Sequence, residues 1–475
     1  MFIGRNRELV ELEKLYSSRT FQCVIVWGRR RVGKTTLLRE FFKKKAVIHF
    51  TAIQTSPAES LAGFSRAILA PDGGSSPVFP DWEVALDYLA QQSRTKRLAL
   101  VIDEYPYLAQ SYQTISSLLQ SWIDQKFKQG QLFLVLCGSS MSFMEHQVLG
   151  YQSPLYGRRT AQFKLEPFGF NETCRFFTRL SAENLAIVHG ITGGIPLYLE
   201  KIDQSKSLKS NIIENFLTPS AYLFEEPLNL LKQEVRDPAL YNAIIQGIAE
   251  GRSRLSEIAG KAGLETSACT QYVKNLIELG IIRKELPLFS KSSRRGAYSI
   301  SDSLFRFWYR FVMPNLSMIQ NGLAETVWKH IDEQLPVFMG REFENICLQF
   351  MWLQNTQGKL PFELTEMGRW WGTDPELKAE AELDIVGCGR DKRLLLGECK
   401  WSNKAVDSPV LETLIDRARL LPYQTHGYYL FAKTGFTARC RVLAEDRGDV
   451  TLFTFPEMVS LLSGAGTAAI DAIEL

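Results

Sequence analysis

Residues 24–38 combine the residue types that a phosphate-binding loop requires. An apolar run ends at Gly28, the spacing G-x-x-x-x-G-K-T runs to Thr35, and an amphipathic segment follows. Glycines let backbone N–H groups turn toward phosphate oxygens, and the N-terminus of a helix adds its positive dipole end. The pattern predicts that Lys34 binds the β- and γ-phosphates and that the Thr35 hydroxyl binds Mg²⁺. The residues expected to line this nucleotide site are Gly28, Arg29, Arg30, Arg31, Val32, Gly33, Lys34, Thr35 and Thr36.

Two carboxylates follow a second apolar run. Residues 98–102 are continuously apolar, and Asp103 and Glu104 come directly after them. Such runs are typical of central strands in a parallel sheet, buried on both faces. We therefore expect Asp103 to lie beside the Mg²⁺ held by Thr35, and Glu104 to act as the catalytic base that orients the attacking water.

Candidate sensors of the γ-phosphate follow the later strands. Residues 132–137 form a third apolar run that leads to Ser139 and Ser140. Either hydroxyl could contact the γ-phosphate, and capping of the next helix is an equal alternative. Arg158 and Arg159 follow the last predicted core strand as candidate γ-phosphate contacts, in cis or from another subunit, and the alternative is a surface arginine pair.

A second group of charged residues lies in the last third of the chain. Residues 382–388 and 394–401 predict two strands joined by a turn, and Asp384, Glu398 and Lys400 form the pattern D-x₁₃-E-x-K across them. Alternation puts Glu398 and Lys400 on one face. Converging carboxylates suit Mg²⁺, and a lysine beside them can polarise the attacking water. The alternative is a hairpin with ordinary salt bridges.

Composition sets the class of protein. A length of 475 residues predicts two to four domains, and 45% hydrophobic with 23% charged residues is ordinary for a globular protein. No apolar run approaches a membrane span, and the start lacks the apolar core of a signal peptide. Eight cysteines occur without a C-x-x-C pair, which favours reduced thiols over a zinc site. These features predict a cytoplasmic protein without a membrane partner.

The order of predicted elements indicates more than one domain. Strands at 23–27, 46–51, 98–102 and 132–137 alternate with helical segments, which predicts a parallel α/β sheet. Residues 71–77 read as a loop.

Residues 241–310 predict a winged helix-turn-helix. Helical patterns around 244–248, 255–264 and 267–279 are followed by Gly280 and by two strands at 281–285 and 297–300. The segment 251–310 has 11 Lys/Arg against 5 Asp/Glu, hence +6, while the whole chain is +3. A wing that carries Lys291, Arg294 and Arg295 could reach DNA phosphates. The alternative is a winged helix used for protein packing.

The N-terminal part resembles the archaeal-type, AAA/STAND-like P-loop ATPases. The resemblance covers the box Phe2-Ile3-Gly4-Arg5-Asn6-Arg7-Glu8-Leu9, both Walker elements, and the segment Gly190-Ile191-Thr192-Gly193-Gly194-Ile195-Pro196-Leu197-Tyr198-Leu199. It implies ATP and Mg²⁺ as cofactors, and it implies that the box with Arg5 packs beside the adenine and ribose.

The C-terminal part resembles the PD-(D/E)XK nuclease superfamily, and also the uncharacterised domain commonly fused to such ATPases. In the superfamily a glutamate on the preceding helix joins the site. Here the helix is predicted to start at Gly340, Glu344 fits best and Glu342 is second. The implied metal ligands are therefore Glu344, Asp384 and Glu398. Leu383 stands where many members have proline, as in Holliday-junction-resolvase-like branches.

These observations predict an α/β protein in four parts. We expect a P-loop ATPase core over 1–202, a helical lid or linker over 203–240, a winged helix-turn-helix over 241–310, and a restriction-endonuclease-like α/β domain over 311–475. The expected function is ATP hydrolysis coupled to action on DNA, with a nuclease-like C-terminal module gated by nucleotide state. The alternatives are a non-nucleolytic ATP-switch regulator on DNA and an ATPase that binds only protein. The chain could also form a homo-oligomer.

Overall fold

The computed structural model describes residues 2–70, 73, 77–290, 292 and 295–462. Most of the predicted loop at 71–77, and the predicted wing residues Lys291 and Arg294, lie outside the described residues. The chain divides into two compact units. The first contains Met1–Pro167 with Ile195–Leu197, and the second contains Phe168–Gly194 with Tyr198–Leu475.

A parallel sheet forms the centre of the first unit. Its strands are β1 (Gln22–Trp27), β2 (Ile48–Thr51), β3 (Leu98–Asp103), β4 (Leu132–Gly138) and β5 (Ala161–Lys164). They lie side by side in the order β2-β3-β4-β1-β5, and every pair is parallel. The predicted parallel sheet is confirmed, whereas β5 was not predicted. Because the strands are parallel, the carboxyl ends of β1, β3 and β4 share one edge of the sheet.

Helices cover both faces of this sheet. Alternate residues of β1 belong to different apolar clusters, with Ile25 in one and Val24 and Val26 in the other. This pattern explains why the strands are apolar throughout rather than alternating. The helices of the first unit are α1 (Asn6–Ser17), α2 (Lys34–Phe42), α3 (Pro57–Leu69), α4 (Trp82–Thr95), α5 (Tyr105–Ser111), α6 (Ile115–Gln125) and α7 (Met141–Phe143).

The second unit begins with helices and contains the winged helix. Its helices are α8 (Phe170–Phe176), α9 (Ala182–Thr192), α10 (Pro196–Leu199), whose first two residues belong to the first unit, α11 (Leu208–Phe216), α12 (Glu226–Glu234), α13 (Pro238–Ala249), α14 (Leu255–Ala262), α15 (Thr266–Glu278), α16 (Ser303–Phe307), α17 (Leu316–Gln320), α18 (Ala324–Thr356), α19 (Ser408–Arg417) and α20 (Ala438–Arg447). Helices α13, α14 and α15 precede the antiparallel pair β6 (Ile282–Glu285) and β7 (Ala297–Ile300). Gly280 follows α15 with a φ of 70°, a conformation that favours glycine. The predicted order of the winged helix is confirmed.

A mixed sheet forms the C-terminal part of the second unit. Its strands are β8 (Leu364–Asp374), β9 (Ala379–Gly389), β10 (Leu394–Lys400), β11 (Thr425–Ala432) and β12 (Val450–Thr454), in the order β12-β11-β10-β9-β8. Strands β9 and β10 pair antiparallel, with Gly397 opposite Ile385, so the predicted hairpin is confirmed. Strands β10, β11 and β12 are parallel to one another.

The helix before this sheet begins earlier than predicted. Helix α18 starts at Ala324, so Gly340 lies in its interior and does not begin it. The apolar spacing continues upstream through Val327, Ile331 and Phe338, all of which are buried. Tertiary packing of this face keeps the segment helical across Pro336, although proline normally interrupts a helix. Throughout the ranges that the structure describes, no helix is both long and apolar enough to cross a membrane.

Candidate functional site

The phosphate loop joins β1 to α2, and Lys34 is held inside it. Gly33 precedes α2 with a φ of 88°, and Lys34 is the first residue of that helix. The Lys34 Nζ donates to the carbonyl oxygens of Gly28 and Arg29, both at 2.9 Å. Burial lowers the pKa of the Lys34 ammonium, and the nearby carboxylates of Asp103 and Glu104 act in the opposite direction. The lysine therefore bonds to the loop's own carbonyl groups, at the place expected for the phosphates.

The loop passes too close to its neighbours for a larger residue at Gly28. Gly28 has a φ of 148°, and a Cβ built there would lie 2.4 Å from the carbonyl oxygen of Leu165. At Gly33 the nearest atom to such a Cβ is a side-chain carbon of Pro196, at 3.9 Å. Pro196 belongs to the glycine-proline segment 190–199 that carries part of the family resemblance, and it lies beside the loop.

Thr35 and Asp103 meet at the shared edge of the sheet. The Thr35 Oγ1 donates to Asp103 Oδ2 at 2.9 Å. Asp103 ends β3 and is 5% exposed, whereas Thr35 and Thr36 are exposed at the start of α2. These two oxygens are of the type that Mg²⁺ prefers in phosphate-loop enzymes. The predicted pair is therefore adjacent in the fold.

Glu104 bonds to the residue predicted as a phosphate sensor. The Ser139 Oγ donates to Glu104 Oε2 at 2.8 Å, and the Ser139 N–H donates to the same oxygen at 3.3 Å. Ser140 precedes α7, yet its side chain forms no capping hydrogen bond. Glu104 has a φ of 54°, a left-handed conformation that is uncommon outside glycine and often found at functional sites.

The arginines predicted at the nucleotide site have different surroundings. The Arg5 Nη2 donates to the carbonyl oxygens of Val32 and Glu166, which ties the N-terminal box to the phosphate loop. The Val32 side chain is fully buried, so only its backbone can face a phosphate. Arg30 donates to the Tyr107 hydroxyl at 3.3 Å.

Arg158 lies in an ion pair within the first unit. Its Nη2 is 2.9 Å from Asp124 Oδ2, and its Nη1 donates to the carbonyl oxygen of Tyr156 at 2.9 Å. A contact between Arg158 and a γ-phosphate therefore stays a prediction, in cis or across subunits.

The C-terminal carboxylates converge on one place. Asp384 on β9 accepts a hydrogen bond from the backbone N–H of Cys399 at 2.8 Å. Glu398 on β10 is 8% exposed, and its Oε1 lies 2.6 Å from Lys400 Nζ. Since the N–H that Asp384 binds belongs to the residue between Glu398 and Lys400, the three predicted side chains form one cluster.

Glu344 of α18 interacts electrostatically with this cluster. Burial in the first place, and the charge of Asp384 in the second, raise the pKa of Glu344 to about 6. Burial also raises the pKa of Asp384 and of Glu398, and for Glu398 the charge of Asp384 is the next cause. The three carboxyl groups thus act on one another across α18, β9 and β10, as carboxylates in close proximity do.

Sequence reasoning missed the arginines that bind Glu344. The Arg341 Nη1 and the Arg369 Nε lie 2.8 Å and 3.1 Å from Glu344 Oε2, and Arg341 also pairs with Glu285 of β6. Arg341 stands three residues before Glu344, a spacing that places both on one helix face and is visible in the sequence. Glu342, the second candidate from the sequence, pairs with Arg306 at 2.9 Å and lies outside this cluster.

In this structure the three carboxylates are bonded to other groups of the protein and are not arranged as the ligands of a metal centre. Among the described residues, no three His, Cys, Asp or Glu side chains are grouped so that they could hold a metal ion. The donor type still fits Mg²⁺, because all three groups supply carboxylate oxygens. Binding a cation there would require Lys400 and the two arginines to release some of their present hydrogen bonds. Metal binding by Glu344, Asp384 and Glu398 stays a prediction.

Comparisons with known protein families match three successive parts of the chain. Residues 2–202 match the model of an ATPase domain predominantly from Archaea. Residues 237–283 match a winged helix-turn-helix DNA-binding model. Residues 308–410 match a family described as archaea bacterial proteins of unknown function.

Two curated proteins of Methanocaldococcus jannaschii are similar in sequence. The uncharacterized protein MJECL04 is 32% identical over 404 residues, which cover 85% of this chain and 88% of that protein. The uncharacterized ATP-binding protein MJ0423 is 40% identical over 47 residues, 10% of this chain and 80% of that protein.

Solved structures with a similar fold include two archaeal proteins. The Walker-type ATPase PABY2304 of Pyrococcus abyssi has a TM-score of 0.49 at 19% identity and covers 65% of this chain and 96% of its own. The ORC2 protein of Aeropyrum pernix has a TM-score of 0.42 at 14% identity and covers 68% and 96%.

The sheet, the phosphate loop and the matched ATPase domain define a P-loop ATPase with a winged helix of the DNA-binding type. Because the match to MJECL04 spans most of both chains, this chain belongs to the family of that archaeal protein. This chain joins an archaeal-type ATPase domain to a winged helix and a further domain of unassigned function.

Proposed function

We propose that this ATPase acts on DNA and that its nucleotide state controls a nuclease-type site formed by Glu344, Asp384, Glu398 and Lys400. The observation that carries the proposal is the convergence of these four side chains from α18, β9 and β10. Carboxylates that raise one another's proton affinity form a favourable place for a divalent cation, because the cation removes their repulsion.

In the first unit, Lys34 would bind the β- and γ-phosphates, and Thr35 with Asp103 would hold Mg²⁺. The ion would neutralise charge on the phosphate oxygens during transfer. Glu104 would accept a proton from the attacking water, and the hydrogen bond from Ser139 supports this role because it fixes the direction of the carboxylate. Nucleotide would also replace the loop carbonyl groups as the partner of Lys34.

In the second unit, the winged helix would hold DNA near the carboxylate cluster. The exposed face of α15 carries Thr270, Gln271 and Lys274, which suit phosphate and base-edge contacts. At the cluster, Asp384 and Glu398 would hold the cation, and Lys400 would polarise the water that attacks a phosphodiester.

The experiment compares Asp384→Asn with the wild type and with Asp391→Asn. Duplex, single-stranded and branched DNA are incubated with each protein and Mg²⁺ or Mn²⁺, with and without ATP. Asp384→Asn should abolish metal-dependent cleavage, because one cation ligand loses its charge, and should leave ATP hydrolysis largely intact. Asp391 is an exposed residue that pairs with Arg393 in the turn after β9, so its substitution should change neither activity.

A second candidate function is a non-nucleolytic switch on DNA or protein. The observation that favours it is the hold of Arg341 and Arg369 on Glu344, since these arginines would compete with a cation. If the wild type binds DNA in an ATP-dependent manner and cleaves none of the substrates with either metal, the nuclease proposal fails and this function takes its place.

A further inference from the structure

A separate cavity lies within the second unit, between the winged helix and α18. Its volume is about 330 Å³, and its walls come from the end of α13, from β6 and β7, from α16 and from α18. Five arginines line it together with a single carboxylate, and they are Arg252, Arg283, Arg306, Arg310 and Arg341, with Glu342 as the carboxylate. Guanidinium groups therefore outnumber carboxylates on the cavity lining.

Carboxylates inside and around the cavity pair with four of the five arginines. Arg306 pairs with Glu342 at 2.9 Å. The other pairs are Arg252 with Glu250, Arg283 with Glu285, and Arg341 with both Glu285 and Glu344. Arg310 donates to Gln334 at 3.0 Å, and in the described part of the chain no carboxylate pairs with it. Burial lowers the pKa of Arg306, and the charges of Arg341 and Arg310 lower it further while Glu342 opposes them. The guanidinium groups thus repel one another, and an anion between them would remove that repulsion.

Three buried polar atoms of residues that line the cavity lack hydrogen-bond partners. Among the residues that the structure describes, the Arg283 Nε, the Arg306 Nε and the Ser299 Oγ are buried and unpaired. A buried group without a partner costs about 1–3 kcal/mol and requires an explanation. All three residues line this one cavity, and two of the atoms are N–H donors. Acceptor oxygens of a ligand would satisfy the two N–H donors after a small shift of these side chains, because each atom is nearly closed to solvent in this structure.

We infer that this cavity binds a phosphate-bearing ligand of nucleotide size. Planar guanidinium groups match phosphate oxygens in pairs, which makes arginine the usual residue for such recognition. The volume lies within the range of small-molecule sites, and Tyr298 and Phe338 add aromatic surface for a base or sugar. The phosphate could belong to a free nucleotide or to the 5′ end of a nucleic-acid strand. This site is independent of the proposed nuclease activity.

The test uses the full chain with Lys34→Ala, so that the phosphate loop binds weakly, and measures pyrophosphate binding by calorimetry. Adding Arg310→Gln or Ser299→Ala should each weaken binding about tenfold, the usual effect of losing one hydrogen bond to a charged group. Ser299→Ala removes a hydroxyl without a partner, and Arg310 is exposed, so neither variant should lower the thermal midpoint. Arg390→Gln, an exposed arginine outside the cavity, is the matched control and should leave binding unchanged.

Competition then identifies the source of the phosphate. Displacement of pyrophosphate by a 5′-phosphorylated tetranucleotide, but not by its unphosphorylated form, assigns the site to a nucleic-acid end. Displacement by mononucleotides alone assigns it to a free nucleotide. If Lys34→Ala protein binds no pyrophosphate, or if Arg310→Gln and Ser299→Ala bind it as tightly as the Arg390→Gln control, the inference is wrong.

Discussion

At the scale of single residues, the bond from Ser139 to Glu104 is the most specific feature of the nucleotide site. It explains why a hydroxyl follows β4, since β4 lies next to β3 and Glu104 comes directly after that strand. The two groups meet at the same edge where Thr35 bonds to Asp103. In the proposed role of Glu104 as the base, a carboxylate that is already fixed by a neighbour loses little freedom when the water has to be activated.

Glu104→Gln should keep nucleotide binding and slow ATP hydrolysis by about 100-fold or more, because the amide cannot accept the proton of the water. The measurement is the steady-state hydrolysis rate together with the affinity for ATP. Glu145→Gln, at an exposed position after β4, provides the control and should behave as the wild type. A wild-type rate in Glu104→Gln would show that another group is the base.

His189 on α9 makes stability depend on pH. It is 6% exposed, and its Nδ1 lies 2.8 Å from the Thr173 hydroxyl. Burial lowers the pKa of His189 to about 4 from its ordinary value of 6.5, while Glu342 opposes the shift. Between these two pH values the unfolded chain binds more protons than the folded chain. Stability should therefore fall as the pH falls from 6.5 toward 4.

His189→Asn should remove this acid dependence, which amounts to at most about 3 kcal/mol of unfolding free energy. Denaturant unfolding at pH values from 4 to 7 measures it. His330→Asn, at an exposed position of α18, controls for the general effect of acid. The assignment fails if His189→Asn and the wild type lose stability in parallel over this range.

At the scale of elements, the base of the wing packs against protein. Leu288 and Phe289 follow β6 and lie against the apolar cluster of the C-terminal sheet. The Leu288 N–H donates to the Arg369 carbonyl oxygen at 2.8 Å, and the rings of Phe289 and Tyr423 meet edge to face, with centroids 5.4 Å apart. The packing alternative from the sequence thus applies to this part of the wing, while Arg295 near its tip is exposed.

Leu288→Ala should destabilise the protein by about 1–2 kcal/mol, because a half-buried side chain leaves the sheet cluster. The neighbouring Leu286 is 46% exposed, so Leu286→Ala should stay within about 0.5 kcal/mol of the wild type. Thermal unfolding of the two variants makes the comparison. Equal destabilisation of both would mean that the packing at Leu288 contributes little.

The sequence predicted the strands and helices best where burial is continuous or strictly alternating. Strand β3, which ends at Asp103, and strand β4, which precedes Ser139, are apolar at nearly every position, because both of their faces are covered. Strand β8 was not predicted because its residues are mostly half-buried and include Gly368 and Arg369, so it shows neither a continuous run nor a clear alternation. The start of α18 was misplaced because Pro336 and Gly340 resemble helix breakers, whereas packing decides the outcome.

In the carboxylate cluster, too, some contacts could be predicted from the sequence and others could not. The spacing of Asp384, Glu398 and Lys400 follows from the local geometry of one hairpin, so sequence alone could place them together. The ion pairs of Glu344 depend on Arg369 of the unpredicted β8 and, through Arg341, on Glu285 of the wing hairpin. Contacts between distant elements require the topology, which spacing does not supply.

At the scale of the whole molecule, the position of the basic residues says more about a DNA-binding surface than their number does. The net charge of +6 over residues 251–310 is concentrated in the winged helix and the two helical turns after it. Of these residues, Arg283 and Arg306 are partly buried and have acidic neighbours, namely Glu285 and Glu342. They are therefore poor candidates for an exposed surface that follows the backbone of duplex DNA, and the wing is the better candidate for that surface.

Neutralising Lys291, Arg294 and Arg295 together should weaken DNA binding alike for all sequences. The slope of log K against log salt should fall by about one for each DNA phosphate that the wing no longer binds. Binding measured at several salt concentrations gives the slope. Lys128→Gln, at an exposed lysine of the first unit, controls for net charge. An unchanged slope in the triple variant would assign the whole wing to protein packing.

The packed base of the wing also determines how the gene can be divided for expression. A recombinant fragment that starts at residue 311 would lack Leu288 and Phe289, so apolar surface near Tyr423 would face solvent. It would also lack Glu285, the acidic partner of Arg341. Exposed apolar surface of this kind promotes aggregation. A fragment that retains the wing hairpin avoids both problems, so the winged helix and the C-terminal sheet are best produced as one piece.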